Sequence, residues 1–269
     1  MNNKIYLMAA LIAFASVGAL LIQPTVASAQ SSMIDNILNS ALPSSDSNDT
    51  NQSSQASDSN SSDNASTAAP ISTSLSCGQV IKQSVKLTAN LDCKTDGIIV
   101  GADGITIDLN GFTLSGPGEK SSKVGIMFAD NDEVTVQGPG TITEFQAGAL
   151  FSGGEDNKIS RVTFTGNEIA VFETGSKNVA IEDNLMFENS IGVAAHSSSG
   201  SKLTTNLFKA NDLAGVTLVN SAANELAMNT IQGSVNGIFL DGQSTENNVN
   251  SNNVLQNRGV DLNNGNGLP

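Results

Sequence analysis

The chain has 269 residues, with 12 Lys and Arg against 26 Asp and Glu and a formal net charge of −14 at pH 7. Because so acidic a chain is a poor electrostatic match for nucleic acid or an anionic membrane surface, we expect no nucleic-acid partner. Trp is absent, and two Cys with one His are too few to build a metal site from Cys and His alone, so we expect no cofactor.

Residues 1–29 are typical of an export signal. Lys4 precedes an apolar run at positions 5–22, and Ala-Ser-Ala at 27–29 forms a cleavage pattern of small residues. The run is also just long enough to cross a bilayer, so a retained membrane anchor is the alternative to cleavage. We favour cleavage and expect a secreted or periplasmic-type location, with membrane tethering only if the segment is retained.

Residues 30–76 are expected to form a disordered linker. Residues 44–68 contain ten Ser among 25 positions, no large apolar side chain and only negative charges, so nothing there offsets the entropy of ordering. Four sequons could carry glycans, at Asn48, Asn51, Asn60 and Asn64.

Ahead of this tract, residues 33–42 have apolar side chains at the spacing of one helix face: Met33, Ile34, Ile37, Leu38 and Leu42. A short helix of this kind is marginal in isolation, so an unstructured tail is the alternative to a helix that docks on the folded domain.

A short sequence repeat runs through the remaining chain. One series has small residues at intervals of 23, 22, 22, 23, 22 and 22, at Gly125, Gly148, Ala170, Gly192, Gly215, Gly237 and Gly259. Two Asn series share the period, with Ser234 completing the second: Asn184, Asn206, Asn229 and Asn252, and Asn167, Asn189, Asn211 and Asn257. Short segments rich in β-branched residues lie between them. The pattern predicts an all-β fold over residues 77–269, a right-handed parallel β-helix that forms a single-stranded solenoid of about seven coils.

The start of this region resembles a known group of proteins. Cys77-Gly78-Gln79-Val80, the segment that ends at Cys93 and the segment from Asp96 are similar to the opening of secreted right-handed β-helix proteins. These include the NosD-like group, which is periplasmic and associated with copper-site maturation of nitrous oxide reductase, and relatives of pectate lyases. The resemblance covers residues 77–262 and implies the fold, which hosts many functions.

The resemblance also implies a disulfide-closed N-terminal cap. In an oxidising compartment Cys77 and Cys93 can pair, and a loop of this size would stabilise the domain by roughly 3 kcal/mol. The alternative is two free thiols that act as a redox or metal pair.

Alternation within the repeat predicts which side chains face outward. One row contains Met127, Leu150, Phe172, Ala194, Thr217, Phe239 and Asp261, of which five are apolar. We expect Met127, Leu150 and Phe172 to stack into an exposed strip, with Phe239 further along, that docks a partner or an apolar ligand. The alternative is that the 33–42 helix, a loop or a register shift covers the row.

Residues able to carry acid–base or metal chemistry are few. Glu173 takes a position that is inward and apolar in the other coils, and His196 lies one coil on, so the two are candidates for an acid–base pair. A bulge that turns Glu173 to solvent is the alternative.

The metal candidates are equally sparse. Asp130, Asp132 and Glu133 could offer oxygen ligands to Ca²⁺, although a solvated acidic edge is favoured. Copper needs soft or imidazole ligands, and a lone His196 does not favour direct copper binding.

These patterns favour a secreted or envelope-associated, non-catalytic β-helix module whose partner is a cell-surface glycan or an envelope protein. The alternatives are a polysaccharide-acting enzyme on the same fold (a lyase, hydrolase or epimerase) and, from the NosD-like resemblance, an accessory factor for an exported metalloenzyme. The last coil, from Gly259, shows no terminal helix, so an end-to-end homodimer or a partner at that end is also expected.

Overall fold

The computed structural model describes residues 71–72 and 74–263, which contain 26 short strands, numbered β1 to β26 in chain order, and no helix. The strands pair in parallel into three sheets of nine, eight and nine strands that wind into a solenoid of about eight turns. The predicted all-β parallel solenoid is confirmed, and it has about one coil more than expected.

The long-strand sheet has six-residue strands through most of its length. In spatial order it consists of β2 (Gln79–Ile81), β5 (Ile98–Val100), β8 (Val124–Ala129), β11 (Ala147–Ser152), β14 (Ile169–Thr174), β17 (Ile191–His196), β20 (Ala214–Val219), β23 (Asn236–Leu240) and β26 (Leu262–Asn263).

The other two walls have strands of two or three residues. The second sheet consists of β1 (Ile71–Ser72), β3 (Val85–Lys86), β6 (Thr106–Asp108), β9 (Thr135–Gln137), β12 (Lys158–Ser160), β15 (Ala180–Glu182), β18 (Lys202–Thr204), β21 (Glu225–Ala227) and β24 (Asn248–Asn250). The third sheet consists of β4 (Leu91–Asp92), β7 (Thr113–Ser115), β10 (Thr141–Thr143), β13 (Thr163–Thr165), β16 (Leu185–Phe187), β19 (Leu207–Lys209), β22 (Thr230–Gln232) and β25 (Asn253–Leu255).

The core is a column of identical positions stacked coil on coil. In the long-strand sheet, one inward row is fully buried and in register: Ile126, Ala149, Val171, Val193, Val216 and Ile238. In the next inward row, the rings of Phe128 and Phe151 stack with centroids 4.2 Å apart. The small-residue series also has a steric cause, because a Cβ at Gly192 would lie 2.5 Å from the carbonyl oxygen of Gly215.

The Asn series satisfy polar groups that the turns bury. The side-chain amide of Asn189 donates to Oδ1 of Asn211 at 3.1 Å and to the carbonyl oxygen of Phe164 at 3.1 Å. Its own Oδ1 accepts hydrogen bonds from the backbone N–H of Asn167 at 3.0 Å and from the Asn167 amide at 3.1 Å. Because all these groups are buried, each Asn stabilises the turns on both sides of it.

The N-terminal cap contains the disulfide that the resemblance implies. Cys77 and Cys93 are bonded, with Cα atoms 5.5 Å apart and a sequence separation of 16. The alternative of two free thiols is therefore wrong. The sheet extends ahead of Cys77 in the chain, because β1 pairs with β3.

The last coil corrects one predicted register. The interval in sequence from Ile238 to its partner Leu262 is longer by two positions than the interval from Val216 to its partner Ile238. Gly259 is therefore not equivalent to Gly237, and the two additional residues lie in the connections of that coil. As a result, Asp261 does not continue the outward row, which ends at Asn263 opposite Phe239.

The predicted signal at residues 1–29 and most of the predicted linker at residues 30–76 lie outside the described residues. Within residues 71–72 and 74–263, no helix is long and apolar enough to span a membrane.

The Asn ladder gives a stability test. Asn189→Ala removes both hydrogen-bonding ends and leaves the Asn167 N–H and the Phe164 carbonyl buried without that partner, so the free energy of unfolding should fall by about 2–4 kcal/mol. The matched control, Asn250→Ala, alters an exposed Asn and should cost less than about 0.5 kcal/mol. Urea unfolding midpoints would measure both, and equal midpoints for the two variants would contradict the ladder's role.

Candidate functional site

The outer face of the long-strand sheet carries the predicted strip. Met127, Leu150, Phe172 and Phe239 lie in one row of paired positions, together with Ala194 and Thr217. Met127 is half-buried, whereas Leu150, Phe172 and Phe239 are only 2%, 0% and 7% exposed. The stacking is as predicted, but most of the row is not in contact with solvent.

A second apolar row borders this one and completes a cluster that is separate from the core. We call this cluster the outer strip; its buried members are Val124, Ala147, Leu150, Ile169, Phe172, Ile191 and Ala194, and Met127, Leu213 and Val219 pack against them.

Glu173 lies on the inner face of the same sheet. It pairs with Phe151 on one side and Ala195 on the other, and it is fully buried. Ser201 Oγ donates to Glu173 Oε2 at 2.7 Å, and Ser176 Oγ donates to the same oxygen at 3.4 Å. Oε1 has no hydrogen-bond partner. The alternative of a bulge that turns Glu173 to solvent is therefore wrong.

Burial changes the protonation of this carboxyl. Desolvation raises the pKa of Glu173 from 4.5 to about 7, and the hydrogen bonds from Ser201 and Ser176 only partly oppose it. A carboxyl with a pKa near neutrality is a common feature of catalytic sites. Here, however, the group is sealed inside the solenoid, where no ligand on an outer face can exchange a proton with it.

The structure does not bring His196 to Glu173. His196 pairs with Thr174, the residue after Glu173, and side chains of consecutive strand residues point to opposite faces. His196 is therefore on the outer face, where it is 9% exposed, and Glu173 is on the inner face.

Glu168, which sequence reasoning did not single out, is a further carboxyl with a perturbed pKa. It lies in the turn before β14, where partial burial is the main cause that raises its pKa and the nearby charge of Glu119 adds to it. A hydrogen bond with Gln146 and the charge of Lys120 act in the opposite direction. No repeat position marks this residue in the sequence, because its partial burial, the main cause of the raised pKa, depends on how the turn packs.

The acidic turn caps the neighbouring coil. Asp130 and Glu133 are exposed and have positive φ angles of 54° and 56°, as in a tight turn. Asp132 Oδ1 accepts a hydrogen bond from the backbone N–H of Glu155 at 2.8 Å. Across residues 71–72 and 74–263, no group of three or more His, Cys, Asp or Glu side chains is placed to hold a metal ion.

The third sheet presents a groove that the sequence analysis missed. Its outward positions on β7, β10 and β13 all bear hydroxyls, at Thr113, Ser115, Thr141, Thr143, Thr163 and Thr165, and Thr230 on β22 adds one more. Two coils interrupt these rows with Leu185 and Phe187 on β16 and with Leu207 and Lys209 on β19. The period predicts this interruption, because Leu185 and Phe187 follow Thr163 and Thr165 at the interval of the repeat.

We call this feature the third-sheet groove. It has a volume of about 350 Å³ and is lined by Leu185, Phe187, Glu188, Leu207, Lys209 and Ala210. Phe187 is half-buried, and Leu207, Glu188 and Lys209 are exposed. An open apolar floor with a partly exposed ring and one charge of each sign can hold the apolar face of a ligand and hydrogen-bond its polar groups.

The fold defines the chain as a parallel β-solenoid with a disulfide-bonded cap, and comparison with known families is consistent with it. Residues 89–267 match the family described as "Periplasmic copper-binding protein (NosD)", so the chain belongs to this family. The NosD-like resemblance is thereby confirmed. A search of curated proteins finds no match.

Two solved structures are similar to this chain. A mutant of the periplasmic alginate epimerase AlgG is 16% identical, with a TM-score of 0.45 over 63% of this chain and 47% of that chain. The enzymatically active domain of tailspike protein 2 from bacteriophage CBA120 is 11% identical, with a TM-score of 0.38 over 62% of this chain and 38% of that chain. The chain therefore spans less than half the length of either protein.

The family is described as copper-binding, but few side chains in the described residues could bind copper. Both Cys thiols are consumed by the disulfide, Met186 is buried in the core, and Met228 is 60% exposed at a turn. Copper in proteins prefers imidazole, thiolate or thioether ligands grouped around one point. Within residues 71–72 and 74–263 these donors are not grouped, so the described part of the chain does not fit a copper site.

Glu173 makes stability depend on pH. Its pKa is raised in the folded state, so the contribution of its protonated form to stability is complete below pH 4.5 and is lost as pH rises through about 7. Glu173→Gln stays neutral, so its free energy of unfolding relative to wild type should rise by about 3 kcal/mol between pH 4.5 and pH 8.

Chemical denaturation at both pH values measures this difference. The control Asn250→Ala, at an exposed position without a titratable side chain, should show the same difference from wild type at both pH values. A pH-independent difference for Glu173→Gln would contradict a buried, titrating Glu173.

Proposed function

We propose that the chain is an extracytoplasmic, non-catalytic binding module whose third-sheet groove holds an extended cell-surface glycan. The observation that carries the proposal is the partly exposed Phe187 ring beside Leu185 and Leu207, next to the rows of hydroxyls on β7, β10 and β13. A sugar ring has an apolar C–H face that packs on an aromatic ring and a rim of hydroxyls that exchanges hydrogen bonds with Thr. Neighbouring coils repeat at about 4.8 Å, so the Thr rows can accompany a linear ligand beyond the groove.

Two observations support the location. The Cys77–Cys93 disulfide requires an oxidising compartment to persist, and the family's description is of periplasmic proteins. Membrane tethering is a separate proposal that depends on retention of residues 1–29.

The non-catalytic part of the proposal is supported by the position of Glu173. An acid–base enzyme needs its titrating carboxyl within hydrogen-bonding reach of the substrate, in a groove that the substrate can enter. Glu173 has a suitable pKa but faces the core, and the third-sheet groove contains Glu188 and Lys209 without a buried carboxyl beside them.

The family match favours a second candidate function, an accessory role for an exported metalloenzyme. Because the described residues do not fit a copper site, this role would consist of contacting the enzyme rather than carrying the ion. Isothermal titration of the purified chain with copper tests whether the chain carries the ion. Tight stoichiometric binding would show that it does and that residues outside the described range supply ligands.

The groove gives the test of the leading proposal. Phe187→Ala should weaken binding to the host's envelope polysaccharide about tenfold, because a truncated aromatic anchor typically costs more than about 1 kcal/mol. Lys209→Ala should weaken it about threefold, and the control Lys202→Ala, an exposed Lys on the second sheet, should leave the affinity unchanged. Affinity electrophoresis with thermal melting as a folding check measures these effects.

Two results would count against this proposal. Equal affinities for wild type and Phe187→Ala would remove the third-sheet groove from the binding site. Oligosaccharides released from the polysaccharide by active protein, detected by mass spectrometry, would show that the module is catalytic.

A further inference from the structure

The outer strip faces away from the core, yet it is shielded from water. Side chains alternate between the two faces along a strand. Leu150 and Phe172 therefore point outward, because their neighbours Phe151 and Glu173 point inward. Side chains of that size on the outer face of an uncovered sheet keep much of their surface in water. Leu150, Phe172 and Ala194 are 2%, 0% and 1% exposed, so the face is covered.

The described secondary structure does not include a covering element. Every strand within residues 71–72 and 74–263 belongs to one of the three solenoid sheets, and that part of the chain contains no helix. Turns at the edges of a sheet can shield its margins, but Phe172 and Ala194 are each the fourth residue of a six-residue strand, away from both edges. The occupant is therefore to be sought elsewhere in this chain or in a second molecule.

We propose that residues 33–42 of the same chain pack their apolar side chains along the outer strip. On a helix, Met33, Ile34, Ile37, Leu38 and Leu42 share one face, and Asn36 and Asn39 lie opposite. A helix over this segment is about 15 Å long. The outer strip spans five strands, β8 to β20, which is about 19 Å at the spacing of neighbouring strands. The helix is therefore long enough to cover most of the strip.

The connection between them is long enough. Residues 43–70 separate this segment from β1, and a flexible chain of that length reaches roughly 30 Å. β1 is on the second sheet, three strands before β9, which lies in the same coil as β8, so the outer strip begins about 14 Å along the axis from the end of the connection. Because the segment is tethered, its effective concentration at the strip is of millimolar order, so it competes well against a separate partner.

This inference is independent of the glycan proposal and concerns a different face. It assigns Met127, Leu150 and Phe172 of the sequence-predicted strip to the chain's own N-terminal segment, whereas Phe239, on β23, lies beyond the outer strip. Glycan binding at the third-sheet groove can then fail or succeed without bearing on it.

Photo-crosslinking in the full chain tests the contact. A benzoylphenylalanine in place of Leu38 should crosslink, within the monomer, to peptides that contain residues 124–129, 147–152, 169–174 or 191–196. The same group in place of Asn39, on the opposite helix face, should give a yield at least about threefold lower. Equal yields, or crosslinks confined to other regions, would overturn the proposal. Crosslinks from position 38 that appear only in a dimer would overturn it in favour of a second copy as the occupant.

A second readout uses exposure of the strip. The double variant Ile37→Asp with Leu38→Asp should raise the fluorescence of an apolar-surface dye at least about threefold, because charged side chains cannot pack on the strip. The matched control, Asn36→Asp with Asn39→Asp, adds the same charge to the other face and should leave the fluorescence unchanged. Unchanged fluorescence in both variants would overturn the proposal.

Discussion

Parallel stacking of coils is the constraint on which this structure depends. Each strand pairs with the equivalent strand one repeat later, so every position must be compatible with the same position above and below it. Apolar residues then form a continuous column, and polar residues in buried turns must bond to their own equivalents, as Asn167, Asn189 and Asn211 do. One period thus sets the core, the turns and the rows of side chains that the outer faces present.

The sequence was sufficient for features that the period controls. The parallel solenoid and the small-residue positions follow from spacing alone, whereas the Cys77–Cys93 pair came from the resemblance. The register of Leu262 did not follow, because two additional residues in the connections of one coil leave no compositional mark. The burial of Glu173 also could not be predicted, since its partner Ser201 lies on the next coil, at a sequence separation of 28. The third-sheet groove could have been predicted, because Phe187 follows Thr165 at the interval of the repeat. It was missed because the outward positions of only the long-strand sheet were considered.

The faces of the solenoid have different chemistry. The inner face holds a neutral-range carboxyl where no ligand can reach it, the outer strip is apolar and already covered, and the third-sheet groove is open. A ligand from outside therefore meets hydroxyls, two Leu and Phe187 rather than a cluster of acid–base groups. This distribution is the physical basis of the proposed binding function.

The central claim is that ligand is held on the third sheet and on no other face. Hydrogen–deuterium exchange of the full chain with and without the host's envelope polysaccharide tests it directly, since bound ligand slows exchange where it contacts the chain. The account predicts slower exchange in peptides that cover β16 and β19 and their turns, residues 185–188 and 207–210. Protection confined to the long-strand or second sheet, or no protection at a saturating concentration of polysaccharide, would contradict it.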